Sequence, residues 1–283
     1  MTDKMPDSFP EPPHLPAPVP RRRGPANGLL RMLRTIVALI LREIATTHGR
    51  SSGGYLWALA DPILGIALLT LIFQGVMGRS SPPLGSNFPL FYATGYIVFQ
   101  MYNDLAGKIA ASLRYSRPLL AYPAVTLVDA LLARWILNTM LHVAVFTLVV
   151  AGIAAGFGLA LVMDAAVVVQ ALALTALLGL GVGTMNCFLT MRFPVWERAW
   201  SILSRPLFLM SGVFFTYDMM PRAAQELLWW NPVLHLVGLM RRGVYGIYPA
   251  DYVSTGYVAA LSLGLLMLGL LLLRGRYRDL LEV

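Results

Sequence analysis

The chain has 283 residues, of which 57% are hydrophobic and only 13% charged, and its mean hydropathy is +0.66. Water-soluble domains carry about a quarter charged residues, so soluble globular, disordered and collagen-like classes are excluded and an integral membrane protein remains. Twenty-two Lys and Arg against 14 Asp and Glu give a net charge of +8, which in a membrane protein bears first on orientation and anionic-lipid contact. No nucleic-acid partner is expected. Cys187 is the single cysteine, so no intrachain disulfide can form.

Residues 1–28 hold eight of the 19 prolines and end near the basic run Arg21-Arg22-Arg23. Prolines at this density prevent a helix and leave nothing to bury. A disordered, proline-rich cytoplasmic tail is expected there, not a signal peptide, because no apolar core follows a short basic start. From Leu29 the spacing turns helical: Leu29, Leu30, Leu33, Ile36, Val37, Ile40, Leu41 and Ile44 recur at i, i+3 and i+4, with Arg31, Arg34 and Arg42 largely on other faces. That pattern suits an amphipathic helix lying in the membrane interface, or one packed on the bundle.

Six apolar stretches then predict transmembrane helices: Leu56–Met77, Phe88–Tyr102, Leu131–Ala154, Ala165–Met191, Leu203–Tyr217 and Tyr257–Leu273. A seventh, Leu227–Tyr248, is broken by Asn231-Pro232 and Arg241-Arg242. It reads as a re-entrant or interfacial helix pair before the last span, since broken backbone inside lipid needs partners. With the N-terminus inside, eighteen Lys and Arg fall on the cytoplasmic side and four on the other. The positive-inside rule therefore places both termini in the cytoplasm. The predicted class is an all-α membrane protein, with residues 29–283 as one transmembrane domain.

Several chemistries are missing from the sequence. No G-x-x-x-x-G-K-[ST] run occurs, so no P-loop nucleotide site is expected on this chain. His14, His48, His142 and His235 show no metal-ligand spacing, and no catalytic triad or carboxylate pair stands out. No catalytic residue, metal or cofactor is therefore assigned. Asp61 and Asp129 sit near span ends, unlike the mid-membrane groups of ion-coupled carriers. The energy for any transport must come from another polypeptide; otherwise the chain is a passive channel or a membrane enzyme.

Three stretches carry a resemblance. Gly54-Tyr55-Leu56-Trp57-Ala58-Leu59-Ala60-Asp61-Pro62 resembles the G-x-L-W-A-x-x-[ED]-P start of the first span in ABC-2 type exporter permeases. Pro123 to Asp129 with Ala133-Arg134 is similar to the loop into their third span. Arg192-Phe193-Pro194-Val195-Trp196-Glu197, Arg205-Pro206-Leu207-Phe208, Ser211-Gly212-Val213-Phe214-Phe215 and Trp230-Asn231-Pro232-Val233-Leu234-His235 follow in the order of the capsular-polysaccharide branch. Asp61 stands where Glu is common, and the proline-rich leader lies outside the match. The resemblance implies a homodimer of six-span subunits joined to two copies of a separate ABC ATPase, which binds the ATP and Mg. It further implies export of acidic, lipid-linked polysaccharide across a Gram-negative inner membrane, with a periplasmic co-polymerase adaptor and an outer-membrane channel. O-antigen or teichoic acid export is the neighbouring alternative, and a membrane-embedded transferase on lipid-linked sugars is the alternative of another class.

Candidate site residues follow from both lines. The cytoplasmic loop Ala106–Asp129 offers Arg114, Arg117, Leu119, Leu120 and Tyr122 as an ATPase-coupling knob with a basic collar, or is an ordinary solvated loop. Arg192–Trp200 is a second candidate contact. Tyr92, Tyr96, Phe99 and Tyr102 share one helical face on which sugar rings could stack, or serve packing and an aromatic belt. Arg205, Phe208, Gly212 and Phe215 share another; an Arg in a span needs an anion, either substrate or an ion pair with Asp61 or Glu197. Arg50 and Trp57 stand at the cytoplasmic mouth, where arginine suits a phosphate head group or general lipid anchoring. Gly179-x-Gly181-x-Gly183 is read as close helix packing.

Overall fold

The computed structural model describes residues 28–47, 54–120 and 125–275. The proline-rich tail, Arg50 and Tyr122 lie outside these residues. The described residues form helices joined by turns and loops, with no strand among them. Its helices are α1 (Gly28–Thr47), α2 (Gly54–Thr70), α3 (Phe88–Ala110), α4 (Ser112–Leu120), α5 (Leu127–Phe157), α6 (Ala165–Arg192), α7 (Trp196–Leu209), α8 (Arg222–Leu228), α9 (Pro232–Tyr245) and α10 (Thr255–Gly275). A π-helical turn, Leu71–Val76, prolongs α2.

The sequence sets most of the helix ends. Asn87 caps α3 by accepting from the Leu90 amide at 2.9 Å, with a proline in the first turn. Thr126 and Asp129 form a reciprocal capping box on α5, and Gly158 closes that helix at φ 63°. Asp129, close to a predicted span end, therefore starts a helix. Asn231-Pro232 does the same for α9: the Asn231 side chain accepts from the Val233 amide at 3.0 Å. What reads in the sequence as a break is a helix start.

Among the described residues four helices are long and apolar enough to cross a membrane: Trp57–Val76, Leu127–Phe157, Ala165–Arg192 and Thr255–Gly275. They match the predicted first, third, fourth and sixth spans within a few residues. The other two differ from expectation. α3 runs to Ala110, eight residues past Tyr102, and carries Gln100, Asn103, Asp104 and Lys108. The expected fifth span, Leu203–Tyr217, is not one helix. α7 begins earlier, at Trp196, and stops at Leu209; Gly212 then takes φ 75° and the chain turns. Its 14 residues reach about 21 Å at 1.5 Å per residue, short of the ~30 Å of hydrocarbon.

The core forms where α3, α6, α9 and α10 meet. The Gly179, Gly181 and Gly183 series makes this possible on two faces. A Cβ at Gly179 would stand 2.7 Å from the Leu105 side chain, and one at Gly183 would stand 2.7 Å from that of Ile109, both on α3. Gly181 faces the Ser262 carbonyl of α10. Small residues let backbones approach closely, which is the main source of helix attraction within lipid. α1 lies apart, against α5. Its Leu30, Leu33, Val37 and Leu41 are 50–61% exposed, so most of its apolar stripe is turned outward, as an interfacial helix requires.

A groove between α3 and α7 and the coupling face beneath it

α3 presents polar and aromatic residues to α7 because its last three turns mix Phe99 and Asn103 with Gly107. The two helices enclose a groove of about 690 Å³ lined by Phe99, Asn103, Gly107, Glu197, Trp200, Ser201, Ser204, Arg205, Phe208 and Leu209. Phe208 is its aromatic hinge: its ring centre lies 4.8 Å from Phe99, 5.1 Å from Phe214 and 6.1 Å from Tyr96. Arg205 is exposed on the groove wall. Neither carboxylate considered for it is engaged with it: Glu197 pairs with Arg114, and Asp61 accepts from Gln100 at 3.0 Å. Among the described residues Arg205 has no ion-pair partner. A basic group, an aromatic wall and serine hydroxyls facing one groove can hold an anionic, hydroxyl-rich chain without a deep apolar trap.

The predicted site residues fall into separate places. Phe99, Arg205 and Phe208 meet in this groove. Tyr96 touches its edge through Phe208, and its ring packs over Gly65 of α2. Tyr92 and Tyr102 are buried inside the bundle, at 0% and 3% exposure. Trp57 lines another cavity, between α2, α3 and α5. Phe215 lies beyond the end of α7, in the turn, so the helical face expected to join it to Arg205, Phe208 and Gly212 does not form. Gly212 in the left-handed region redirects the backbone before Phe215 is reached. Arg50 and Tyr122 lie outside the described residues.

At the foot of the groove α4 follows α3 after a single intervening residue, Ala111. Leu113 and Ser116 turn inward, while Arg114 and Tyr115 are exposed. Arg114 grips Glu197 of α7 with both terminal nitrogens, at 3.1 and 3.3 Å. The hydrogen bond from Arg114 and its charge hold the Glu197 carboxyl below its ordinary range, and Glu197 raises Arg114 in return. Both lie outside the apolar spans. Arg117, Leu119 and Leu120 continue α4, with side chains outside the described set. Arg134 of α5 is the hub behind α4. It meets Glu43 of α1 at 3.2 Å, donates to the Lys108 carbonyl of α3 at 3.1 Å, and covers the Tyr115 ring at 4.6 Å. Trp196 donates to Asn186 of α6 at 3.0 Å and stacks with Trp200, fixing the start of α7.

Sequence reading missed the role of Arg241. It is 2% exposed, donates to the Phe215 and Val213 carbonyls at 2.7 and 3.1 Å, and sits 4.1 Å over the Phe91 ring. It therefore ties α9 to the turn after α7. The signal was present: Arg241 follows the apolar run Val233–Met240, interrupted only by His235 and Gly238, whereas Arg242 is exposed between buried neighbours.

Helices that bury carbonyl-capping arginine, pack through glycines and expose apolar flanks define a polytopic α-helical membrane protein. An ABC-2 type transporter profile matches residues 34–245, and the chain belongs to that family. It is 31% identical over 242 residues to the polysialic acid transport protein KpsM of Escherichia coli, covering 86% of this chain and 93% of that protein. It is 27% identical over 256 residues to the capsule polysaccharide export inner-membrane protein BexB of Haemophilus influenzae (85% and 90% covered). It is 28% identical over 249 residues to the capsule polysaccharide export inner-membrane protein CtrC of Neisseria meningitidis serogroup A (86% and 91% covered).

Proposed function

We propose that the chain is the inner-membrane permease subunit of an ATP-driven exporter of capsular polysaccharide. The observation that carries this is near-full-length similarity to permeases named for that task, in three organisms. The sequence has no P-loop, so ATP and Mg belong to a separate ATPase, two copies per homodimer. In this reading α3 and α7 are the second and fifth crossings. α7 crosses through locally thinned bilayer or with the turn and α8–α9 completing its depth. Both termini are cytoplasmic by the charge asymmetry.

The mechanism follows from the groove. Arg205 attracts the acidic groups of the polymer. Phe208, backed by the buried Phe99 ring, offers a flat face to sugar rings, which tolerates sliding because every ring has a C–H face. Closure of the ATPases moves α4, with Arg114, Arg117, Leu119 and Leu120 as its contact. The Arg114–Glu197 pair and the Arg134 hub carry that motion to α7 and α5. The α3–α7 groove changes width, and the lipid-linked chain advances towards the periplasmic adaptor and outer-membrane channel.

The test is a deletion strain complemented with this chain. Cells lacking it should accumulate complete polymer inside, and sealed vesicles should move polymer only when the ATPase subunit and ATP are present. Polymer movement with no second subunit, or truncated polymer in the deletion strain, would overturn the reading.

A further inference from the structure

We infer that Arg114, which does not itself line the α3–α7 groove, determines the groove's charge selectivity. By pairing with Glu197 it hides a carboxylate of the lining and leaves Arg205 to select anionic glycans. The inference rests on the export reading of this groove.

Among the described residues the lining carries one carboxylate, Glu197, and one cation, Arg205; the rest is aromatic, apolar or uncharged polar. Taken alone, that lining is neutral and gives no preference for an acidic chain. The other charges nearby face elsewhere. Asp104 and Lys108 of α3 meet each other at 3.3 Å and line the separate pocket between α2, α3 and α5. Arg192 lies over the Phe193 ring, and both Arg192 and Arg198 are exposed outside the lining.

Glu197 has a structural reason to stand where it does. Val195 gives α7 no side-chain cap, and Glu197 is the acidic residue of the first turn. A carboxylate there balances the positive end of the helix. The consequence for the groove is unfavourable. Glu197 and Arg205 share the α7 wall about 12 Å apart at 1.5 Å per residue, so an acidic chain laid along the groove from Arg205 meets a like charge. Arg114 removes the conflict. Its two terminal nitrogens reach separate oxygens of Glu197, at 3.1 and 3.3 Å, a two-pronged grip that occupies both. The pair sums to zero charge, and the groove is left with one positive charge, on Arg205. The residue that sets the selectivity therefore belongs to α4, on the coupling face, and not to the groove wall.

The experiment places the full-length chain in phosphatidylcholine nanodiscs and measures binding of fluorescent carboxymethyl-dextran and of neutral dextran of the same length. The readout is the ratio of the two affinities. Arg205→Ala should lower that ratio about threefold, the scale of one exposed ionic contact, and Arg114→Ala should lower it by about as much. Glu197→Gln should raise it above wild type, because Arg114 is then a second free cation. Arg114→Ala combined with Glu197→Gln should return to the wild-type ratio, since Arg205 is again the one charge in play. Arg114→Lys should keep most of the preference, with a looser grip on Glu197. The affinity for neutral dextran and the unfolding midpoint should stay near wild type throughout, because the paired side chains are 63% and 60% exposed. If Arg205→Ala lowers the ratio while Arg114→Ala leaves it unchanged, or if the double variant does not return to it, the inference is overturned and the groove reading stands. If Arg205→Ala leaves the ratio unchanged, the groove reading fails and the inference falls with it.

Discussion

α7 and α9 are both 14-residue helices, and they live in opposite worlds. In α9 every residue from Val233 to Arg241 is buried. In α7 no residue is buried, and Ile202, Leu203 and Leu209 are 53–66% exposed. The same length and similar apolar content therefore serve two ends. α9 is a wedge that the chain completes by itself, down to an arginine spent on two carbonyls. α7 is a wall whose other side must be supplied by lipid, substrate or a second subunit. Burial separates the part of the molecule that makes the fold from the part that is free to move.

The sharpest test of that contrast is Arg241 against Arg242, adjacent on α9. Arg241→Ala removes two charge-assisted hydrogen bonds, each worth about 1.5–3 kcal/mol, and leaves the Phe215 and Val213 carbonyls without a donor. A loss of about 3 kcal/mol or more should show as a large fall in the unfolding midpoint in detergent. Arg242→Ala, on an exposed residue, should stay within about 0.5 kcal/mol. Equal effects would break the distinction. Gly183→Val comes next. Its side chain would meet the Ala106 carbonyl and Ile109 of α3, and overpacking of this kind costs about 1–3 kcal/mol. Gly107→Ala, where a Cβ meets nothing within 4 Å, is its control and should be near neutral.

These two regions were not equally legible in the sequence. Four long apolar runs gave their helices to within a few residues, because lipid demands both length and closed hydrogen bonding. The glycine triplet gave a packing face for the same reason. α7 was misplaced because hydropathy follows side chains, whereas its end is set by Gly212 in a left-handed conformation. α3 was cut short because Asp104 and Lys108 look like a span end until Asp104 is seen to be met by both Lys108 and His142, 38 residues away. The aromatic face of α3 was correctly periodic, but periodicity does not say which neighbour a face meets. Tyr92 and Tyr102 turn into the bundle, while Phe99 reaches the groove. Arg205 and Phe208 came together as expected, because both lie within one unbroken helix.

On the α7 side the expected effects on stability are small and the effects on coupling are not. Arg114 and Glu197 are 63% and 60% exposed, so their pair should contribute under about 1 kcal/mol to folding. Arg114→Glu and Glu197→Arg should each leave the unfolding midpoint nearly unchanged and lower polymer export per ATP consumed. The double swap should recover part of that ratio, since it restores an ion pair between α4 and α7. A purely structural surface bridge would show no such recovery. The pH dependence has a definite sign. Glu197 has its pKa lowered on folding, so the pair's contribution is present above the ordinary Glu range of about 4.3 and is lost only as pH falls through the lowered value. At neutral pH, well above that lowered pKa, the coupling ratio should therefore be flat with respect to this pair.

Arg205→Ala should perturb stability least of all, within about 0.5 kcal/mol, because the guanidinium is exposed and has no ion-pair partner among the described residues. Its effect should instead be on substrate. If the groove grips an anionic polymer, the variant slows export while basal ATP hydrolysis by the assembled transporter stays at the wild-type rate. Arg205→Lys should recover part of the loss, since the charge remains but the two-pronged grip does not. Raising salt should then weaken wild-type export and leave the alanine variant less affected, because only the former uses a screened attraction. An alanine variant with wild-type export and wild-type salt response would show that the exposed wall of α7 faces lipid, and the substrate path would have to be sought on another face of α3.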